Sequence, residues 1–221
     1  MTLVSLFLAP LTFLQAAGKS KPNIVVIYTD DQGYGDMSAL NPKSKIQTPN
    51  LDRLANQGII FTDGHCTDTV CTPLRYSLLT GRYSWRTSLK SGVLLSDGEC
   101  LIAKNRMTVA SLLKANGYQT AMFGKWRLQM KFPGTIGHRD WSHPITDGPT
   151  EHGFDYFFGI PARFMPPYDA EPQSKSDIEI APSFRDDICI MTCTDTAVNY
   201  IASHAESAKK GKPLFIYFAL S

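Results

Sequence analysis

Residues 22–36, PNIVVIYTDDQGYGD, decide how the rest of the chain is read. Ile24, Val25, Val26, Ile27 and Tyr28 form an unbroken apolar run, mostly β-branched. Such a run, without polar alternation, predicts a strand covered on both faces, as in a parallel sheet. It stops at Thr29, Asp30 and Asp31, and Gly33 and Gly35 follow, so a loop leaves the strand's C-terminal end. Ligands of open α/β sheets gather at that end. The adjacent Asp30 and Asp31 are therefore the first candidate site residues. Two carboxylates there suit a hard, oxygen-preferring cation, Ca2+ or Mg2+; ordinary turn residues have the same composition.

Downstream, helix and strand signals alternate. Thr48 as N-cap, Pro49 as first helical residue, Leu51, Leu54 and Ala55 at helical spacing and Gly58 as terminator predict a helix. Residues 59–62 could form a short strand. Thr72 as N-cap, Pro73 as first residue and Gly81 as stop predict a second helix, with Cys71 immediately before it. Thr108 caps a third, with Val109, Leu112 and Leu113 inward and Gly117 closing it. Residues 119–123 read as a strand ending at Gly124 and Lys125. A fourth helix is expected from Thr194 or Asp195 to about Ala208, and residues 214–220, LFIYFAL, as another buried strand. This alternation predicts an α/β fold with a mainly parallel sheet flanked by helices. Residues 131–182, rich in Pro, Gly, His and aromatics, read as long recognition loops.

With 221 residues the chain suits one large domain, and 43% hydrophobic with 19% charged residues is an ordinary globular balance. The net charge of +2 shows no basic excess, so nucleic acid is not an expected partner. Residues 3–17 are apolar, too short for a membrane span, broken by Pro10 and followed by Ala16, Ala17 and Gly18. Residues 1–18 are read as a cleaved signal peptide, which implies export, although the usual basic residue before the run is missing; an uncleaved anchor or a mis-called start is the alternative. Five cysteines, Cys66, Cys71, Cys100, Cys189 and Cys193, leave one thiol with another fate. Cys189 and Cys193 lack the further ligands of a zinc site and are read as buried or disulfide-bonded.

Two further groups carry chemistry. Cys71 lies where unpaired backbone N–H groups and the helix dipole favour negative charge, so it is a candidate reactive cysteine. Arg75, one turn on, can point back toward an anion. Lys125, at a strand end, could grip a sulfate or phosphate oxygen. A buried cysteine and solvated surface cations are the plain alternatives.

Together these segments resemble the sulfatase family. PNIVVIYTDDQGYGD looks like its opening strand and metal loop, and TPNLDRLANQGIIFTDGHC like its next helix and strand. VCTPLRYSLLTGRY matches its C-x-P-x-R signature, and TVASLLKANGYQTAMFGKW the elements leading to its G-K-W motif. HGFDYFFG and PLFIYFALS are further landmarks. The resemblance covers residues 22–221 and implies an alkaline-phosphatase-like superfold. It implies that a formylglycine-generating enzyme oxidises Cys71 to formylglycine, whose hydrate attacks sulfur and later collapses to release sulfate. Asp30, Asp31 and the modified Cys71 would bind Ca2+ (Mg2+ being possible), Arg75 would hold the hydrate, and Lys125 would contact sulfate oxygens. The implied substrate is a sulfated small molecule or glycan.

The sequence departs from the family pattern in three places. Leu74 stands where a small residue is usual. Arg127 stands where the family has a histidine; it can bind sulfate but cannot act as a base near neutral pH. At Ser221 the resemblance stops short of the family's leaving-group histidine, further metal ligands and another lysine. The fold is thus expected to be incomplete at its C-terminus, and turnover by these residues alone is not expected. A phosphate or phosphonate ester hydrolase of the same superfamily and a non-catalytic sulfatase-like remnant are the alternatives. Arg139, His143, Arg163, Trp141, Phe164 and Tyr168 are the loop cations and aromatics that could meet a sulfated sugar.

Overall fold

The computed structural model describes residues 20–135, 138–140, 142–161, 168–170, 178–179 and 186–220. In chain order these form β1 (Ile24–Tyr28), α1 (Pro49–Gln57), α2 (Cys71–Thr80), α3 (Val109–Ala115), β2 (Gln119–Lys125), β3 (Gly134–Thr135), β4 (His138–Arg139), β5 (Tyr156–Ile160), β6 (Tyr168–Ala170), β7 (Ile178–Glu179), α4 (Asp186–Lys209) and β8 (Leu214–Ala219). The main sheet has the order β1-β8-β2-β5-β6-β7. Its pairs β1·β8, β8·β2 and β2·β5 are parallel, and β5·β6 and β6·β7 are antiparallel. The expected mainly parallel sheet is present. No described helix is long and apolar enough to cross a membrane. The proposed leader, residues 1–18, lies outside the described residues.

The core sits on both faces of β2 and β8, where apolar runs meet helices. Met122, Tyr217, Phe215 and Phe157 pack on one face with Tyr76, Leu79, Ala110, Trp126 and Phe154. Ala121, Phe123, Phe158 and Ile216 pack on the other with Cys193 and Ala197 of α4. Each large apolar side chain buried here contributes about 1.5–3 kcal/mol relative to its exposed state. β1 differs from the expectation of two covered faces: Val25 and Ile27 are about half exposed while Tyr28 is half-buried. Among the described strands it pairs only with β8, so it is an edge, and one of its faces has no described helix to cover it.

Several boundaries also move. α2 starts at Cys71, with Val70 in extended N-cap geometry (φ −130°, ψ 158°). Thr72 and Pro73 therefore fall inside the first turn, where proline's missing N–H costs nothing. Gly81 ends the helix at φ +63°, as its left-handed stop requires. Thr108 caps α3 as expected, its hydroxyl accepting the Ser111 N–H at 3.0 Å. α4 begins eight residues ahead of Thr194, because a helix packed along β2, β5 and β8 extends beyond its best local signal. Residues 59–62 form no strand: no described strand pairs with them, and Ile59 and Phe61 stay exposed. Within the stretch read as loops, Tyr156–Ile160 is a central strand parallel to β2. Its YFFGI run is buried on both faces and lacks the alternation that marks a half-exposed strand.

Candidate active site

Three strand ends and one helix start meet at the C-terminal edge of the sheet. β1 delivers Asp30, β2 ends on Lys125, β8 leads into Leu220, and α2 brings Cys71 and Arg75. Glycine makes this convergence possible. Gly124 has φ +96°, and a Cβ there would lie 2.0 Å from the Ala219 carbonyl oxygen. A Cβ on Gly159 would lie 1.9 Å from the Gly124 carbonyl oxygen. Both approaches exclude any side chain and set Lys125 close beside its neighbours.

Arg75 is fully buried. Its guanidinium donates to the Lys125 carbonyl at 2.7 Å and the Leu220 carbonyl at 3.4 Å. It also lies 3.7 Å from the Asp30 carboxylate and over the Tyr28 ring, 5.1 Å from the centroid. Arg75 thus ties the ends of β1, β2 and β8. Its Nε has no hydrogen-bond partner among the described residues. Lys125, nearly buried, donates a short hydrogen bond to Asp30 Oδ2. Two cations therefore hold the Asp30 carboxylate, and burial of that carboxylate is compensated. Burial pushes the Tyr28 hydroxyl up to about 12, against the lowering effect of the Arg75 cation. Burial does the same to Tyr217, again to about 12 and again opposed by Arg75. Both phenols stay neutral at any physiological pH.

A cavity of about 1070 Å³ opens beside this cluster, and Asp30, Asp31, Cys66, Cys71, Leu74 and Leu78 are among its lining residues. Asp31 faces it from a left-handed backbone, φ +56°, a conformation aspartate tolerates better than most residues. Cys71, partly exposed with a free thiol, stands at the first helical position of α2, where its own backbone N–H and that of Thr72 lack helical partners. The Leu74 side chain occupies the same wall. Arg75, Lys125 and Arg127 are not among the lining residues. Arg127, the residue two beyond β2, has φ +59° and a buried Nε with no partner among the described residues.

Thr72 locks the Arg127 loop beneath Cys71. Its hydroxyl donates to the Arg127 carbonyl at 3.1 Å and accepts the Leu94 N–H at 3.2 Å. Sequence reading gave Thr72 a capping role and passed over Tyr28. Strand parity could have found Tyr28, which shares its side of β1 with Asp30 and hence with the incoming Arg75.

Asp30 and Asp31 line the cavity together with Cys71, and two adjacent carboxylates are the donor chemistry of a hard cation. Ca2+ takes six to eight oxygens, so two carboxylates supply part of a shell. Among the described residues no three His, Cys, Asp or Glu side chains form a metal-holding group. Of the loop residues nominated as sugar contacts, His143 is exposed and paired with Asp140 at 2.9 Å. Trp141, Arg163 and Phe164, and the side chains of Arg139, Tyr168 and Cys189, lie outside the described residues.

Comparison with known proteins extends the reading. The chain is 42% identical over 142 residues to an N-acetylgalactosamine-6-O-sulfatase of Bacteroides thetaiotaomicron, covering 64% of this chain and 27% of that protein. It is 39% identical over 158 residues to mouse arylsulfatase G, covering 70% of this chain and 27% of that protein. The chain thus spans about a quarter of the length of these relatives. A solved structure from glycosaminoglycan metabolism by Bacteroides thetaiotaomicron superposes with a TM-score of 0.74 at 28% identity, covering 90% of this chain and 51% of that one. Another, a protein in complex with its substrate D-glucosamine-2-N,6-O-disulfate, superposes with a TM-score of 0.60 at 28% identity, covering 90% of this chain and 34% of that one. These neighbours share the alkaline-phosphatase-like fold, of which this chain forms part. Residues 22–221 match the sulfatase family model, and the chain belongs to the sulfatase family.

Proposed function

We propose that the protein hydrolyses sulfate esters, of a sulfated small molecule or glycan, at the cavity bounded by Asp30, Asp31 and Cys71. One observation carries this reading. A fully buried arginine ties Asp30 and Lys125 at the sheet's C-terminal edge, directly beside a cavity whose other wall is Cys71 at a helix start. That arrangement offers an anion the positive end of a helix, with the Asp30 carboxylate held rigidly beside it by two cations. Oxidised to formylglycine by a generating enzyme that reads Cys71, Pro73 and Arg75, residue 71 would supply the oxygen nucleophile that a thiol cannot. Asp30 and Asp31 would hold Ca2+, or Mg2+, which would supply charge neutralisation for the ester oxygens.

The chain's own residues do the positioning. Arg75 fixes the strand ends so that Asp30 and Asp31 keep their aim. Lys125 pairs with Asp30, and released from it could reach a sulfate oxygen. Arg127, whose carbonyl is held by Thr72 next to Cys71, carries a permanent cation that could bind sulfate but takes no proton. Leu74 adds an apolar residue to the cavity lining. Residues 1–18 act as an export signal in this reading, which places the enzyme outside the cytoplasm.

Co-expression with a formylglycine-generating enzyme tests the reading, followed by the mass of the tryptic peptide containing Cys71. The expected peptide is lighter by the change from thiol to aldehyde. A wholly unmodified cysteine, with a known substrate of the same enzyme converted in parallel, defeats it. Side-by-side assay of aryl sulfate and aryl phosphate on the full-length protein then distinguishes sulfate from phosphate ester hydrolysis.

A further inference from the structure

The loop after α2 folds back along the helix and brings residues 84–92 beside its first turn. A second pocket of about 390 Å³ lies there, lined by Val70, Pro73, Ser84, Trp85, Lys90 and Ser91 among others. Its volume falls at the small end of the range of small-molecule sites, roughly 300–1,000 Å³. Asp68, Thr69 and Val70 line both this pocket and the Cys71 cavity, so one ridge separates the two. A molecule anchored over Cys71 and extending past that ridge enters the second pocket.

The pocket's chemistry is specific. Trp85 is 56% exposed and stacks on Tyr83 with ring centroids 5.5 Å apart and planes 18° from parallel. Two stacked, solvent-facing aromatic rings cost apolar surface in water and give a stiff, flat platform with few rotatable bonds. The Lys90 ammonium donates to the Trp85 carbonyl at 2.8 Å, which holds the charge at the pocket wall with two donors to spare. Among the described residues no carboxylate forms an ion pair with Lys90, nor with Arg82 or Arg86 of the same loop. Asp68 is the acidic residue on the shared ridge; one of its oxygens accepts its neighbour's N–H, from Thr69, at 2.7 Å, and the other can accept a hydroxyl.

We propose that this pocket is a second sugar subsite: it takes the unit adjacent to the one whose sulfate ester stands over Cys71, with that unit's C–H face on Trp85 and an anionic substituent on Lys90. The proposal rests on the sulfatase reading of the Cys71 cavity and narrows its substrate to an oligosaccharide whose neighbouring unit is anionic. Sulfate and carboxylate share the chemistry Lys90 recognises.

Calorimetric binding to the full-length protein with Cys71 left unconverted tests this without turnover. Four probes suffice: a monosaccharide 6-O-sulfate, the same sulfate on a disaccharide with a neutral neighbour, and two disaccharides whose neighbour carries a second sulfate or a uronate. Wild type is expected to bind the anionic disaccharides at least tenfold more tightly than the monosaccharide. Trp85→Ala should abolish that gain and leave monosaccharide affinity unchanged, while Trp85→Phe restores part of it. Lys90→Gln should remove only the difference between anionic and neutral neighbours. Whichever anionic disaccharide retains that difference in wild type identifies sulfate or uronate as the group on Lys90. Equal wild-type affinity for all four probes overturns the subsite, as does a Trp85→Ala loss that falls equally on the monosaccharide. Asp30→Asn separates the two readings: unchanged monosaccharide affinity in that variant defeats the Cys71 site itself.

Discussion

Replacing Arg75 by methionine removes the guanidinium that ties three strand ends while keeping an unbranched side chain of similar reach. Two charge-assisted hydrogen bonds disappear, a good one at 2.7 Å to the Lys125 carbonyl and a long one at 3.4 Å to the Leu220 carbonyl. Each bond of this kind is worth about 1.5–3 kcal/mol, the longer one less. The 3.7 Å contact with Asp30 and the stacking over Tyr28 at 5.1 Å also go. Against this, the variant no longer desolvates a buried cation, and Lys125 still neutralises Asp30. The net cost is about 3–5 kcal/mol, typical of losing one partner of a buried charged network. For a chain of this size each kcal/mol lowers the melting temperature by about 2–4 °C, so a fall of roughly 6–20 °C is expected by circular dichroism. Arg75→Lys, which keeps the charge but not the fork, should fall in between. An Arg75→Met variant melting within about 2 °C of wild type would refute the reasoning, because Asp30 and Lys125 would then hold the strand ends unaided.

Gly124→Ala places a methyl group 2.0 Å from the Ala219 carbonyl oxygen at φ +96°, so β8 must shift by about 1 Å. It should cost about 3 kcal/mol or more from overpacking and backbone strain, read in urea unfolding. Thr72→Val strands the Leu94 N–H and the Arg127 carbonyl and should cost about 1–3 kcal/mol, with faster amide exchange at Leu94 as the local readout. Burial lowers the folded-state pKa of His152 below its ordinary 6.5, against the raising effect of the nearby Asp147 and Glu151 carboxylates, with Lys104 adding to the lowering. The unfolded chain then binds more protons, so this contribution to stability is present above about pH 6.5 and is lost as pH falls toward the lowered value. His152→Gln should flatten the melting temperature between pH 7.5 and 5; an unchanged slope would assign the pH dependence to other groups.

The run IVVIY and the buried LFIYFAL are legible as strands of a parallel sheet because continuous β-branched and aromatic residues have few other places to go. The Thr108 cap and the Gly81 stop are equally local: one is a hydroxyl meeting a free N–H, the other a backbone angle that only glycine adopts cheaply. Asp30, Asp31, Cys71, Arg75 and Lys125 are legible as candidates because residue type and position at strand and helix ends suffice to nominate them. The strand at Tyr156–Ile160 escaped, since its hydrophobicity reflects burial between β2 and β6 rather than any period in the sequence. The exposed face of β1 escaped for the converse reason: an apolar run looks the same whether or not a neighbour covers it.

Sequence alone thus determined three strands of the parallel core, the Thr108 cap, the Gly81 stop and the list of chemically able residues, all set by interactions within a few positions along the chain. Tertiary structure alone decided that Trp85 and Lys90 border a pocket next to the Cys71 cavity, that Arg75 points inward to three strand ends, and that Lys125 is spent on Asp30. The last two outcomes depend on contacts between residues 50 to 145 positions apart, made possible where glycines at 124 and 159 let backbones approach too closely for any side chain.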